Sequence, residues 1–242
     1  MRTRFSVVIP SRDAANLVAC VEALYLGEPW LELEDVVVVD DGLDWNDKDL
    51  KSLAGLVDVL PGQKPFIFAR NCNIGITRGR SRWNRAAQVT EHAVVLLNDD
   101  ALLKTGGGLS LLAETASRYP EYGVIGATTN ITGQPLQYRQ AIGLREVPHC
   151  AFCCVLITHS ALRSVGLLDE RYALDYGCED RDYCEAVARA GLKVGVHDGC
   201  FVDHGSLRST FRGDPRTPKS FRQNFGLLLE KWGGKLVSER LQ

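Results

Sequence analysis

The sequence lacks the features that would place it at once in a membrane, nucleic-acid-binding or repeat class. No apolar run in its 242 residues approaches the roughly 20 residues that a membrane-spanning helix needs. The formal net charge is −2, so there is no global excess of positive charge for nucleic acid or an anionic membrane. There is also no internal repeat, no low-complexity segment and no linker long enough to divide the chain. We therefore expect one globular domain that does not bind nucleic acid.

The cysteines give no sign of a disulfide framework or of a zinc centre. The eight cysteines are irregularly spaced and several lie inside apolar segments, which is typical of reduced thiols that pack as small hydrophobic groups. Cys150 and Cys153 form a single Cys-X-X-Cys, and Cys154 follows, but a structural zinc site usually needs two close pairs of ligands. The apolar run near the N-terminus is too short for a signal peptide. A cytoplasmic protein is expected, with membrane contact left open only through a partner or a lipid acceptor.

The first half of the chain alternates between two hydrophobic patterns. Short apolar runs predict strands, and longer segments with helical periodicity predict helices. The predicted strands are 5–9, 36–39, 65–69 and 93–97, and the predicted helices are 13–26 and 76–90. This alternation is typical of an α/β fold with a mostly parallel sheet, covered by helices on both faces. Such sheets bind ligands beyond the carboxyl ends of their strands.

The second half of the chain has a less regular pattern. Its predicted helices are 106–118, 160–165, 181–190 and 221–232. Its predicted strands are 123–128 and 151–158, and a further strand is predicted to start at 194–196. The segment 129–148 is predicted to be a loop or an edge hairpin, and 205–219 a flexible loop.

The run Asn98-Asp99-Asp100 follows four apolar residues and is the most distinctive stretch of the chain. Carboxylates at the end of a buried strand are costly unless something compensates their charge. Hard oxygen ligands suit Mg²⁺ or Mn²⁺, so a divalent cation is one compensator. The alternative is a polar turn with solvated aspartates, and this run alone does not separate the two.

Several short motifs in the order found here resemble those of family 2 glycosyltransferases, which have the GT-A fold. The resemblance covers residues 5 to about 232. Its pieces are Val7-Val8-Ile9-Pro10-Ser11, Val38-Val39-Asp40-Asp41-Gly42, Asn73-Ile74-Gly75 with Arg80 and Asn84, Leu96 to Asp100, Gly166 to Glu170, Glu179-Asp180-Arg181-Asp182, and His204. The closing Glu230-Lys231-Trp232-Gly233 resembles the tail of rhamnosyl- and galactofuranosyltransferase-like members. The resemblance implies a nucleotide-sugar-binding half (1–100), an acceptor half (101–204), and a lid loop with a C-terminal helix (205–242).

The resemblance implies transfer of a sugar from a nucleoside-diphosphate sugar to an acceptor hydroxyl, assisted by Mn²⁺ or Mg²⁺. Asp100 matches the last position of the family's Asp-X-Asp motif and would be the main metal ligand. His204 matches the histidine that completes the metal shell, although without the family a structural histidine is the commoner interpretation. Asn98 stands where the first aspartate is usual, so the protein would contribute less charge to the metal.

The resemblance also implies inverting transfer, with Asp180 as general base. The acceptor hydroxyl must lose its proton as the new bond forms. Glu179 is the second candidate, or it positions the acceptor. Helix capping is the structural alternative for both, because acidic residues are common in first turns.

The remaining site predictions concern the nucleotide. The residues expected to contact it are Pro10, Ser11, Asp40, Asp41, Asn73, Gly75, Arg80, Asn84 and Asp99, with Arg208 on a mobile lid. The donor is expected to be linked to UDP or dTDP, and the acceptor to be a saccharide or a lipid-linked saccharide. Two other classes stay open: a nucleotide-sugar pyrophosphorylase, against which the absence of a glycine-rich loop at Pro10-Ser11-Arg12 argues, and a binding module without turnover.

Overall fold

The computed structural model describes residues 4–83, 92–141, 143–172, 177–209 and 214–237. The strands are β1 (Phe5–Ser11), β2 (Val36–Asp40), β3 (Asp58–Pro61), β4 (Ala93–Leu97), β5 (Leu102–Leu103), β6 (Tyr122–Thr129), β7 (Leu144–Glu146), β8 (Cys154–Ile157) and β9 (Lys193–Asp203). The helices are α1 (Ala14–Gly27), α2 (Phe68–Trp83), α3 (Gly108–Arg118), α4 (His159–Ser164), α5 (Glu179–Arg189) and α6 (Thr217–Lys231).

One sheet runs through both halves of the described chain, in the order β3-β2-β1-β4-β8-β6-β9-β5, with β7 on β9. The first four strands pair in parallel, so their carboxyl ends meet at one edge. β8 is antiparallel to β4 and places Cys154 opposite Leu97. The segment just before β8 therefore lies beside Asn98, whose main-chain N–H donates to the carbonyl of Cys153 at 2.9 Å.

The core has two layers because alternate residues of each buried strand point to opposite faces. On β1, Val7 and Ile9 face the layer that contains α1 and α3, whereas Val8 faces the layer that contains α2, α4 and α5. A third, smaller cluster lies under α6 and includes Leu228. The predicted α/β fold class is confirmed.

The prediction of a strand at 65–69 is wrong. The third strand is β3, and Phe68 already begins α2. The buried residues Ala69, Cys72 and Ile76 follow a helical spacing, which the apolar run 66–69 concealed. β3 is short and half-exposed, so it has no strong apolar run of its own. A strand at 65–69 would have placed Asn71 and Asn73 just beyond its carboxyl end, but both lie in the first turns of α2.

Two other elements extend beyond the predicted residues. β9, whose start was predicted at 194–196, continues to Asp203, although its polar residues His197 and Asp198 interrupt the apolar pattern. α6 begins at Thr217, inside the segment predicted to be a loop. The part of that segment at 210–213 lies outside the described residues.

Gly75 allows α2 to approach β1 closely, and this contact gives a stability prediction. A Cβ at Gly75 would lie 2.2 Å from Cγ1 of the fully buried Val8. We expect Gly75→Ala to lower the free energy of unfolding by about 1–3 kcal/mol, as measured by urea denaturation, because extra volume in a packed core forces strain.

Gly226→Ala is the matched control for this prediction. Gly226 is an exposed residue inside α6, and a Cβ there would meet nothing within 4 Å. Alanine favours a helix over glycine by up to about 1 kcal/mol, so this variant should be at least as stable as the wild type. Equal urea midpoints for the two variants would contradict the packing role of Gly75.

Candidate active site

A cavity of about 720 Å³ opens at the edge where the parallel strands end. It brings together eight of the residues predicted for the site: Pro10, Ser11, Asn98, Asp99, Asp100, Glu179, Asp180 and His204. These residues come from β1, from the turn after β4, from the start of α5 and from the end of β9. The four segments are far apart in sequence, and only the folded chain brings them together around the cavity.

His204 faces Asp100 because of a short strand pairing. β5 begins two residues after Asp100 and pairs antiparallel with β9, placing Leu102 opposite Asp203. This register brings Nε2 of His204 to 3.0 Å from Oδ1 of Asp100. Nδ1 of His204 lies 3.2 Å from the carbonyl oxygen of Ile131, which can only accept a hydrogen bond.

The arrangement fits a divalent cation held by few protein ligands. If Nδ1 of His204 carries the proton that Ile131 accepts, its neutral Nε2 presents a lone pair to the Asp100 carboxylate. Two acceptors face each other comfortably only when a proton or a cation lies between them. Asn98 also lines the cavity, and its buried Oδ1 has no hydrogen-bond partner among the described residues. Oxygen and imidazole ligands suit Mn²⁺.

The described residues provide no group of three His, Cys, Asp or Glu side chains that would form a complete metal cluster. A cation held by Asp100 and His204 would therefore need further oxygen ligands from a bound molecule or from water. The diphosphate of a nucleotide supplies such oxygens, and Mg²⁺ and related ions commonly bind through one or two carboxylates plus phosphates.

Asp99 points toward the end of β1. Its Oδ2 accepts a hydrogen bond from Oγ of Ser11 at 2.7 Å. Burial, together with the charge of Asp100, raises the pKa of Asp99 to about 6, and the hydrogen bond from Ser11 partly opposes the shift. Asp99 thus joins the ends of β1 and β4 and fixes the floor of the cavity.

Glu179 and Asp180 are presented by an unusual turn. They are the first two residues of α5, and the preceding Gly177 and Cys178 both have left-handed backbone conformations, with φ of 89° and 84°. A positive φ is uncommon for a residue with a side chain and persists where the surroundings enforce it. Oδ1 of Asp180 accepts the main-chain N–H of Arg181 at 2.6 Å, which orients the carboxylate at the helix N-terminus.

The two carboxyl groups differ in how readily they ionise. Burial, and then the charge of Asp180, raises the pKa of Glu179 to about 8. Burial also raises the pKa of Asp180, but the N–H groups of Arg181 and of Asp180 itself and the cation of Arg181 oppose that shift. These opposing groups favour the ionised form of Asp180 over that of Glu179, and an ionised carboxylate is what a general base requires.

The raised pKa of Glu179 predicts a pH dependence of stability. Between its ordinary pKa of 4.5 and the folded value of about 8, the unfolded chain releases a proton that the folded chain keeps. The free energy of unfolding of the wild type should therefore fall as pH rises through this window. Urea denaturation across the window should show a smaller fall for Glu179→Gln, because glutamine has no proton to lose. Parallel pH profiles for the two proteins would contradict the shift.

Asp40 and Asp41, predicted near the nucleotide, are engaged elsewhere and do not line the cavity. Oδ1 of Asp40 accepts the N–H groups of Gly42 and Leu43, both at 2.7 Å, and its Oδ2 accepts Nε1–H of Trp45 at 2.9 Å. Asp41 is buried and pairs with Lys64 at 2.9 Å. Both carboxylates stabilise the loop after β2.

Asn73 and Gly75 also have structural roles outside the cavity. Nδ2 of Asn73 donates to the carbonyl of Leu168 at 2.9 Å, and its Oδ1 accepts the Leu168 N–H at 2.9 Å, so it joins α2 to the segment after α4. Gly75 is the packing glycine described above. Neither geometry presents the residue to a ligand in this cavity.

The structure describes only some of the other residues that were predicted to contact the nucleotide. Asn84 lies outside the described residues, and Arg80 is described only as part of the α2 backbone. Arg208 does not line the cavity, and its carbonyl accepts Nδ2–H of Asn16 at 2.7 Å, which holds the start of the predicted lid against α1. Ser209 and Asp214, from the two described ends of that segment, do line the cavity.

The cavity also contains residues that the sequence did not single out, and they form two groups. One is a polar wall in which Nε2 of Gln134 lies 3.0 Å from Nε2 of His149. Burial, with the nearby charge of Arg181, lowers the pKa of His149 to about 4, so its imidazole is neutral. The other group is aromatic: Phe66, Phe68, Phe152, Tyr172 and Phe221.

The fold of this chain is similar to that of several glycosyltransferases of known structure. The chain aligns with GalNAc-T7 in complex with UDP, GalNAc and Mn²⁺ (TM-score 0.66, 14% identity, 94% of this chain). It aligns with S. aureus TarS 1-349 (TM-score 0.61, 14% identity, 94% of this chain). It also aligns with the mannosyltransferase PcManGT from Pyrobaculum calidifontis in complex with GDP-Man and Mn²⁺ (TM-score 0.61, 15% identity, 87% of this chain).

These alignments cover 48%, 65% and 59% of the three structures, so the chain spans about half to two-thirds of their length. No protein-family model matches the sequence, and no curated protein matches it. At 14–15% identity the likeness establishes the GT-A fold of this chain. Among the described helices, none has the length and apolar character needed to cross a membrane.

Proposed function

We propose that this protein is a metal-dependent glycosyltransferase that moves a sugar from a nucleoside-diphosphate sugar to an acceptor hydroxyl. The observation that carries the proposal is the content of one cavity: the Asp100–His204 pair and the Asp180 carboxyl group all line it, at the edge where the parallel strands end. The fold supports it, because two of the structural neighbours were solved with Mn²⁺ and a nucleotide or nucleotide sugar.

In this proposal Asp100 and His204 hold the divalent cation, with Asn98 beside them. When bound, the cation stabilises the negative charge that develops on the leaving diphosphate. Pro10, Ser11 and Asp99 form the nearby floor on the nucleotide side. Because few protein ligands would hold the cation, we expect it to bind more tightly with the nucleotide than alone.

Asp180 acts as general base in a single displacement. The acceptor oxygen forms a bond to the anomeric carbon as the bond from that carbon to the phosphate oxygen breaks, and the configuration inverts. The hydroxyl proton passes to Asp180, and the nucleoside diphosphate leaves with the bonding electrons. Neutral Glu179 donates a hydrogen bond to the acceptor without competing for its proton.

The finer assignments rest on the family resemblance. We propose a UDP- or dTDP-linked hexose or deoxyhexose as donor and a saccharide or lipid-linked saccharide as acceptor, in the manner of the rhamnosyl- and galactofuranosyltransferase-like members. A cytoplasmic location and the closing of the 206–219 segment as a lid, with Arg208, belong to the same proposal. No observation among the described residues of the site specifically favours a nucleotide-sugar pyrophosphorylase or a binding module without turnover.

A thermal-shift panel of nucleoside diphosphates and nucleotide sugars, with Mn²⁺ or with EDTA, tests the proposal. A ligand that binds the folded state raises Tm by mass action. We expect at least one nucleotide to raise Tm with Mn²⁺ and to do so much less with EDTA. If no nucleotide shifts Tm under either condition, the proposal is wrong, although the fold stands.

A further inference from the structure

The turn that presents the catalytic carboxylates is supported from outside α5 by the C-terminal helix. Gly177 and Cys178 lie at the start of α5, whereas α6 begins about 40 residues later in the sequence. Both turn residues have a positive φ, and Cys178 has a side chain, so this backbone conformation needs support from its neighbours. Cys178 is buried in the small cluster that also contains Leu228 of α6.

One face of α6 contacts the turn and the residue that follows the base. Nδ2 of Asn224, a fully buried residue, donates to the carbonyl of Gly177 at 2.9 Å. The ring of Phe221 lies against Gly177, since a Cβ there would be 3.1 Å from Cδ2 of Phe221. The guanidinium of Arg181 lies over the ring of Phe225, 5.2 Å from its centroid. Positions 221, 224 and 225 lie on one face of a helix.

The other end of α6 is fixed to the same helix α5. Nζ of Lys231 lies 2.6 Å from Oδ2 of Asp182 and 2.8 Å from Oδ2 of Asp169. Nε1 of Trp232 donates to Oδ1 of Asp182 at 2.8 Å. α6 is therefore held at two points, one at the turn before α5 and one at Asp182 within α5. The contacts of its N-terminal half lie next to Glu179 and Asp180.

We infer that Asn224 is a positioning residue, which fixes the left-handed turn at Gly177 and Cys178 and thereby aims Asp180 at the acceptor. The inference rests on the proposed role of Asp180 as base. The buried side-chain amide of Asn224 donates a hydrogen bond to the main chain of the turn at Gly177. Gly177 stands two residues before Glu179, the first of the two carboxylates. An error of about 1 Å in the position of a catalytic group costs on the order of 100-fold in rate.

The test compares Asn224→Leu, which keeps most of the volume but cannot donate, with Gln223→Ala on the exposed face of α6. Turnover is measured as release of nucleoside diphosphate from the nucleotide sugar that the panel identifies, and nucleotide affinity by calorimetry with Mn²⁺. We expect kcat of Asn224→Leu to fall about 10- to 100-fold with an unchanged nucleotide Kd. Gln223→Ala should match the wild type in both. An unchanged kcat, or a parallel loss of nucleotide affinity, would overturn the positioning role.

Asn224→Asp gives a pH signature that a packing role would not produce. A carboxyl group at this place can donate to the Gly177 carbonyl only when protonated. The kcat of Asn224→Asp relative to wild type should therefore fall as pH rises, while that of Asn224→Leu stays low throughout. A constant ratio for Asn224→Asp would contradict the donor role.

Hydrogen exchange separates failure of this inference from failure of the proposed function. In the wild type the Asp182 N–H donates to the Cys178 carbonyl at 2.8 Å and closes the first turn of α5. We expect exchange at Asp182 to become faster in Asn224→Leu but not in Gln223→Ala. Unchanged exchange overturns the support from Asn224. Faster exchange in a protein that binds and turns over no nucleotide sugar leaves the structural role intact and rejects the transferase.

Discussion

Asp180→Asn is expected to lower kcat by about two to four orders of magnitude without weakening nucleotide binding. General-base catalysis contributes a factor of this size, and asparagine cannot take the acceptor proton. The substitution keeps the shape of the side chain, and its Oδ1 can still accept the Arg181 N–H. Release of nucleoside diphosphate measures kcat, and calorimetry with Mn²⁺ measures the nucleotide Kd.

Glu179→Gln is the matched control for Asp180→Asn. Glu179 is the protonated member of the pair at neutral pH, because its pKa is raised to about 8, and glutamine resembles that neutral form. Its loss of kcat should therefore be much smaller than that of Asp180→Asn. If Glu179→Gln lost more activity than Asp180→Asn, Glu179 would be the base.

Asp100→Ala is expected to abolish the Mn²⁺ dependence of nucleotide binding. In the proposed metal site, Asp100 and His204 would be the two charged or imidazole ligands, so the loss of either would leave the cation with one. Losing an outer-shell partner of a metal ligand already costs about 10- to 100-fold in affinity, so losing a ligand should cost more. Nucleotide Kd measured with Mn²⁺ and with EDTA should become equal in the variant.

His204→Ala should behave in the same way, and His197→Ala is its control. His197 lies on the same strand, β9, but outside the cavity, where its Nδ1 accepts the Gly199 N–H at 2.9 Å. A Mn²⁺ effect that survives in both Asp100→Ala and His204→Ala would place the cation elsewhere.

The position of Asn98-Asp99-Asp100 at a strand end could be predicted because a simple rule applied to it. Four buried residues followed by Asn98-Asp99-Asp100 predict a strand end, and parallel strands place their ends at a common edge. The pairing of His204 with Asp100 could come only from the family resemblance. The register that creates it depends on β5, which is only two residues long, and on the extension of β9, which lies beyond the polar residues His197 and Asp198.

Several polar residues that were predicted for the site lie outside the cavity. Asp40 and Asn73 have the residue types that a ligand site needs, but each satisfies main-chain groups of its own neighbourhood. The same side-chain chemistry serves turns and ligands equally well, so composition cannot distinguish the two. Only the geometry shows which groups are already engaged.

The part of the cavity wall that includes His149 and Phe152 could not be located from local patterns because it depends on an antiparallel strand. β8 runs opposite to β4, so the residues before β8, including His149 and Phe152, lie next to the residues after β4. Nothing in the local pattern of 129–153 indicates that direction. The contribution of α6 is equally non-local, since Asn224 meets Gly177 across 47 residues of sequence.

The most direct measurement of the central claim is an anomalous difference map at the manganese K edge, from crystals grown with MnCl₂ and the nucleotide that the thermal-shift panel selects. The account predicts one strong peak within coordination distance of Oδ1 of Asp100 and Nε2 of His204, with the diphosphate beside it. A nucleotide bound in the cavity without a peak there, or a peak at other residues, would contradict the assignment of this site as the metal centre of a glycosyltransferase.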